Sequence, residues 1–321
     1  MIILGGILGV LMAGMMVDVS ALTSRHAEDD EDDIPVPNEE EGESLPPTMP
    51  EPQPEPELEP EPEPEPEVPA APDESVIDGS DGLDFLMGTP GDDLIRGQGG
   101  ADDLRGGLGA DTIEAGAGDD WVQGDAVYGP GGDDLIYGGE GDDLLAGQGG
   151  NDMLFGEDGD DTLMGGEGDD SLFGGEGDDV LAGHEGNDLL VSTGGTDDLD
   201  GGAGDDVLIG HDGPETVWMN GGDGNDTLMP GAHDFASGNG GDDTFLLRQV
   251  QEGFPTLADF HGDHDQLVLH LDAQVARDVQ LSLREDADGS TLLEVNGQAV
   301  GRLLNPEALR LGDIRIVAIG G

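Results

Sequence analysis

A nine-residue period governs this chain. From Gly138 to Ala182 it reads GGEGDDLLA, GQGGNDMLF, GEDGDDTLM, GGEGDDSLF, GGEGDDVLA. Each block opens on glycine, carries Asp at its sixth position and Leu at its eighth. A strand points successive side chains to opposite faces, so only the eighth residue need face inward. One apolar residue in nine cannot support a free-standing unit, and the copies must stack to share a core. The glycines allow the positive φ that tight turns demand, and they leave backbone carbonyls exposed and close together. The pattern holds from Gly79 to about Leu246 in 18 blocks, one of them degenerate.

The sixth-position residues are Asp84, Asp93, Asp102, Asp111, Asp120, Asp134, Asp143, Asp152, Asp161, Asp170, Asp179, Asp188, Asp197, Asp206, Glu215, Asp226, Asp234 and Asp243. The eighth-position residues, from Leu86 through Val217 to Phe245, are all apolar. Carboxylates beside carbonyl oxygens are the donor set Ca²⁺ takes, whereas Mg²⁺ keeps its water and suits such cages poorly. At this point the blocks resemble the RTX, or haemolysin-type, calcium-binding repeats of bacterial secreted proteins. The resemblance implies an all-β fold, a right-handed parallel β-roll (β-solenoid) with two nonapeptides per turn. It also implies several Ca²⁺ ions between successive turns, held by the sixth-position Asp and glycine-loop carbonyls.

Some blocks depart from the pattern. Gly124 to Tyr128 interrupt it after Gln123, and Met219 and Asn220 interrupt it after Trp218; both are expected as bulges on a loop edge. Ser192 and Thr193 replace opening glycines, and the block at Pro230 is one residue short. Glu215 and Asp234 are therefore left out of the expected metal ligands, and the other sixteen are kept. At the seventh position Phe85, Leu94, Trp121, Leu135, Leu144, Met153, Leu189 and Val207 are apolar and should point outward. Asp103, Thr112 and Asp198 break that stripe, so scattered exposed apolar residues and a sticky face both remain open readings.

The charge balance is extreme, with 75 acidic residues against 9 basic ones and a net charge of −66. Such a surface excludes nucleic acid as a partner, since that binding needs Lys and Arg on phosphates. No cysteine is present, which removes disulfides, thiolate metal sites and thiol catalysis. Residues 1–17 form an apolar run at the lower limit for crossing a bilayer. They read as a cleaved signal or a membrane anchor, with no basic n-region. Residues 18–78 read as a disordered acidic linker. Its Glu-Pro alternation lacks the N–H donors a helix or sheet needs, and twenty residues of polyproline II would span roughly 60 Å.

Residues 79–246 are expected to form the β-roll, and 247–321 a β-rich C-terminal cap. Strands are expected near 266–271, 279–283, 292–295, 299–304 and 314–319, with Asn296-Gly297 as a hairpin turn. His261, Asp263, His264 and Asp265 read as a polar loop in preference to a metal cluster. The chain contains neither H-E-x-x-H nor G-x-S-x-G. The expected function is Ca²⁺ binding in a non-enzymatic, secreted or surface-exposed structural or adhesive module, with an unidentified extracellular surface or matrix partner. Two alternatives stand beside it. One is an accessory or hydrolytic enzyme with its site in the C-terminal region. The other is a spacer anchored in the inner membrane and facing the periplasm.

Overall fold

The structure is a computed structural model and describes residues 75–126, 131–249, 252–304, 306 and 308–320. The expected signal or anchor segment and the linker as far as residue 74 lie outside the described residues. The described chain is built almost wholly of short strands in two sheets, one of twelve strands and one of thirteen. Successive strands alternate between the sheets. Within a sheet each strand pairs in parallel with the one two blocks away, as in Leu145↔Leu163↔Leu181 and Leu154↔Leu172↔Leu190. Two nonapeptides therefore make one turn of a parallel β-roll.

The eighth position forms the core. Ile95, Leu104, Ile113, Val122, Ile136 and the leucines from Leu145 to Leu208 are all 0% exposed. Each contributes on the order of 1.5–3 kcal/mol by leaving water. The fourth position explains why glycine recurs there. Gly141 has φ +126°, Gly159 +142° and Gly195 +97°, a region that a side chain bearing Cβ rarely enters. The second position is less demanding. There Gln148, Glu157 and His184 take φ near +80°, within reach of the left-handed region that polar residues tolerate.

Two insertions sit elsewhere than the block pattern suggests. Trp218, Met219 and Asn220 are strand residues, paired with Asp198, Leu199 and Asp200. Met219 is 3% exposed and holds the inward slot. The two extra residues thus lie in the turn between Gly210 and Val217, and Val217 falls on the sixth position. Val217 and Met219 are both apolar and equally able to fill the core, so the block pattern alone cannot choose between them. Likewise Gly124 and Asp125 belong to the strand Trp121–Asp125, and the other insertion follows them, partly in residues 127–130 outside the described set.

The two-sheet stack continues past Leu246. Gln266–Asp272 adds in parallel to Thr244–Arg248, and Arg315–Ile319 adds to Gln266–Asp272. On the other sheet Gln298–Leu303 follows Thr256–Leu257 and then turns back through two antiparallel strands, Thr291–Val295 and Leu281–Glu285. Asn296 and Gly297 form the hairpin turn with φ +53° and +83°, the mirror-image turn that Asn-Gly favours. Phe260 is 1% exposed and meets Phe245 edge-on at 5.9 Å, extending the core under this end.

Candidate metal centres

The sixth-position aspartates form two columns, one along each row of turns. Asp84, Asp102, Asp120, Asp143, Asp161, Asp179 and Asp197 make the first. Asp93, Asp111, Asp134, Asp152, Asp170, Asp188, Asp206, Asp226 and Asp243 make the second. Within a column each rung is joined the same way: the backbone N–H of one aspartate donates to Oδ1 of the aspartate one turn later. Asp143 to Asp161 is 2.8 Å, Asp161 to Asp179 2.9 Å and Asp152 to Asp170 2.7 Å. Short side chains at this point are locked by the stack, which is why they are buried despite their charge.

The second oxygen is left over. Oδ2 is buried and receives no hydrogen bond in Asp102, Asp111, Asp120, Asp134, Asp143, Asp152, Asp161, Asp170, Asp179, Asp188, Asp206 and Asp226. Buried polar atoms are normally satisfied, and a column of orphans at equivalent places calls for a ligand. Except in Asp120, whose block opens on Ala115, each Oδ2 points at a glycine in the first position. A Cβ on Gly156 would lie 2.3 Å from Asp161 Oδ2 and 2.4 Å from the Gly174 carbonyl oxygen. One on Gly106 would lie 2.2 Å from Asp111 Oδ2 and 2.3 Å from the Gly124 carbonyl. Glycine thus keeps open a cradle into which a carboxylate and a carbonyl from the next turn converge. That hard-oxygen donor set fits Ca²⁺. Among the described residues no three His, Asp or Glu side chains gather into a conventional metal cluster, so a cation in the cradle would draw its further ligands from backbone carbonyls.

The electrostatics agree. Burial pushes the Asp134 carboxyl up to about 8, and like-charged Asp152, Asp125 and Asp111 push the same way. Burial raises Asp111, Asp143, Asp170, Asp179 and Asp226 to about 7. It raises Asp120, Asp152, Asp161, Asp188 and Asp206 to about 6. In each, a backbone N–H one turn earlier pulls the other way, and burial outweighs it. Opposite charge in the cradle would restore the ionised form.

Three other expected ligands, Asp197, Asp93 and Asp84, are satisfied from within the chain. The Ser192 hydroxyl stands where the first glycine should be and donates to Asp197 Oδ2. At the N-terminal end Asp93 accepts from Thr89 N–H at 2.5 Å and from the Ser75 N–H and hydroxyl. Burial opposes ionisation there, but these donors together hold its pKa below the ordinary value. Asp84 is half-exposed and accepts from Ser80 N–H at 2.6 Å. Ala115 takes the first position beside Asp120 and is 0% exposed, so its methyl group occupies that cradle. Asp243 is buried but is not among the orphans.

Asp234, excluded from the sequence, is 0% exposed and accepts from Val217 and Gly231 N–H groups. It is a rung of the first column, and Glu215 is an exposed turn residue. With Val217 in the sixth slot, the first column loses a carboxylate between Asp197 and Asp234. Two further residues belong here that the sequence reading placed otherwise, Asp265 in a polar loop and Asp125 in an insertion. Asp265 Oδ1 accepts from Asp243 N–H at 3.2 Å and closes the second column, while its Oδ2 accepts from His261 N–H at 2.6 Å. Asp125 is 3% exposed at the end of the strand Trp121–Asp125 and accepts from Gly132 N–H at 3.2 Å. The histidine cluster is a loop: His264 Nδ1 pairs with Asp242 at 3.0 Å and His261 Nδ1 with the Asp259 carbonyl at 2.8 Å.

Comparison with known proteins gives a stack of repeats of one kind. Residues 78–113, 105–126, 125–154, 155–190 and 191–228 match the RTX calcium-binding nonapeptide repeat (4 copies). Residues 78–228 of this chain belong to that family. A search of curated proteins finds no match. Among solved structures, the chain is similar to the extracellular lipase LipA from Serratia marcescens, at 18% identity with a TM-score of 0.17. That likeness covers 77% of this chain and 40% of the lipase, and it carries no argument about activity.

Proposed function

We propose that the chain is a non-catalytic, secreted or surface-exposed structural or adhesive module whose β-roll folds on binding several Ca²⁺ ions. The observation that carries this reading is the series of buried Oδ2 atoms with no donor, each facing a glycine cradle. Eleven aspartates combine an orphaned Oδ2 with a glycine at the first position: Asp102, Asp111, Asp134, Asp143, Asp152, Asp161, Asp170, Asp179, Asp188, Asp206 and Asp226. We assign these as the calcium ligands, with Asp84, Asp93, Asp197 and Asp243 dispensable and Asp120 hindered by Ala115.

Without a cation, stacked carboxylates one turn apart repel each other and remain desolvated. Binding free energy then becomes folding free energy. Extracellular calcium modules bind at about 10⁻⁴–10⁻³ M, a range that cytosolic calcium does not fill. The chain would stay unfolded inside a cell and fold outside it. Circular dichroism of the full chain in EDTA and then in millimolar Ca²⁺ tests this. The expected result is a coil spectrum converting to β. An unchanged spectrum refutes it, and calorimetry gives the number of ions.

A further inference from the structure

The outward faces of the two sheets are unlike. On the sheet that begins with Val76–Ser80, the ninth position of successive turns runs Asp78, Arg96, Glu114 and then turns apolar. The first three are paired with one another, Arg96 to Asp78 at 3.2 Å and to Glu114 at 3.1 Å. From there the same column holds Tyr137, Phe155, Phe173, Val191, Ile209 and Met229. The aromatic rings are stacked at 5.0 and 4.9 Å, their planes nearly parallel. The seventh position beside this column carries no charge over the same turns and includes Met153, which is 42% exposed. On the other sheet Asp198 and Asp200 interrupt the equivalent columns.

This strip is bounded by acid on both sides. Along one edge the fifth position alternates Asp133, Asn151, Asp169, Asn187, Asp205 and Asn225, each rung accepting the backbone N–H of the next. Along the other edge lie exposed Glu140, Asp158 and Glu176. No Lys or Arg occurs anywhere between Arg105 and Arg248. An occupant of the strip must therefore bring its own positive charge. A second copy of this face brings none and would set acid against acid. The apolar segment at residues 1–17 brings none either.

We propose that this face of the first sheet is a docking surface for a cationic amphipathic helix, a partner segment with an apolar stripe flanked by Lys and Arg. The dimensions suit it. Parallel strands lie about 4.8 Å apart, so the column from Tyr137 to Leu246 is about 29 Å long. A helix of about 20 residues has that length. Its apolar stripe lies on the ring column, and its basic flanks reach the two acidic edges, a helix-on-apolar-surface mode of recognition.

The test uses the full calcium-loaded chain at physiological ionic strength, where non-specific attraction is screened. The probe is a fluorescent peptide of about 20 residues, Leu at i, i+3, i+4 and i+7 and Lys elsewhere, with a scrambled peptide of equal composition. The expected result is binding at least about tenfold tighter for the patterned peptide, and loss of about tenfold on Phe155→Thr with Phe173→Thr. Threonine keeps strand propensity. If that pair does not give a β spectrum in calcium, Ile209→Thr with Met229→Thr is read in its place. Trp121→Thr on the other sheet should leave binding unchanged.

Three results overturn the proposal. One is equal binding of both peptides, meaning charge alone. Another is equal binding by the first-sheet variant and the parent. The third is concentration-dependent dimerisation of the parent that the variant abolishes, which would make a second copy the occupant. A chain that folds without calcium yet binds the patterned peptide would refute the proposed function and leave this inference standing.

Discussion

Replacing Asp161 by Asn isolates the metal from the scaffold. The amide keeps the size of the side chain and its Oδ1, which accepts the Asp143 N–H at 2.8 Å. It removes only the charge on the atom that faces Gly156. At calcium about 100-fold above the dissociation constant, a bound ion adds about 2.7 kcal/mol of stability. Loss of one site should thus lower the melting temperature in calcium by about 5–10 °C for a domain of this size. In EDTA the effect reverses. There the ionised Asp161 has a buried oxygen with no partner, and burial holds its pKa up at about 6. The neutral amide relieves this, so the variant should keep more β-ellipticity than the parent at neutral pH. Asp160→Asn, at the exposed fifth position, is the control and should change little in either condition. Thermal melts by circular dichroism in calcium and in EDTA read both arms. Equal destabilisation in the two conditions would refute the reasoning, because it would make Asp161 a packing residue and nothing more.

Four other outcomes are expected. Gly156→Ala places a methyl group 2.3 Å from Asp161 Oδ2 and 2.4 Å from the Gly174 carbonyl; calorimetry should show one site lost or weakened. Leu163→Ala empties a fully buried core position and should cost about 2–5 kcal/mol in calcium-loaded denaturant titrations. Ser192→Gly removes the hydroxyl that satisfies Asp197; the variant should be less stable than the parent in EDTA and should recover with calcium. The metal-free chain should gain β-structure on acidification. Asp134, raised by burial from 3.8 to about 8, and Asp161, raised to about 6, stabilise the roll fully below pH about 3.8 and lose that contribution as pH rises through 6 to 8. A pH titration of ellipticity in EDTA that shows no gain between pH 8 and 4 would contradict it.

Much of the roll was legible because the period is local. Asp at the sixth position and Leu at the eighth recur through the Gly138–Ala182 run, and the structure stacks them into columns there. What the period hides is everything set by the neighbouring turn. Whether Val217 or Met219 takes the eighth slot depends on pairing with Leu199, which no nine-residue window contains. Whether an aspartate needs a metal depends on which donors stand beside its free oxygen. Ser192 removes the need at Asp197 and Thr89 at Asp93, while a glycine leaves it at Asp161. Asp265 was out of reach for a different reason: it follows a turn with no glycine pattern, yet it lands on the same column. The apolar strip was half visible, since seventh-position residues such as Met153 were noted. The rings of Tyr137, Phe155 and Phe173 align only when turns 18 residues apart are set side by side.

The aspartate ladder also has a direction. From Asp84 to Asp179 and from Asp93 to Asp226, each aspartate N–H is satisfied by the carboxylate of the turn that follows it, so a rung is finished only when its successor is in place. At the far end Asp265 supplies that last acceptor for Asp243, and its own second oxygen is closed by His261. A roll trimmed from the front frees carboxylate oxygens and also the N–H after each aspartate, as when Asp103 N–H loses the Asp84 carbonyl. A roll trimmed from the back strands an N–H at every step. Residues 256–319 are therefore more than a lid, because they supply the acceptor that completes the last rung of the second column.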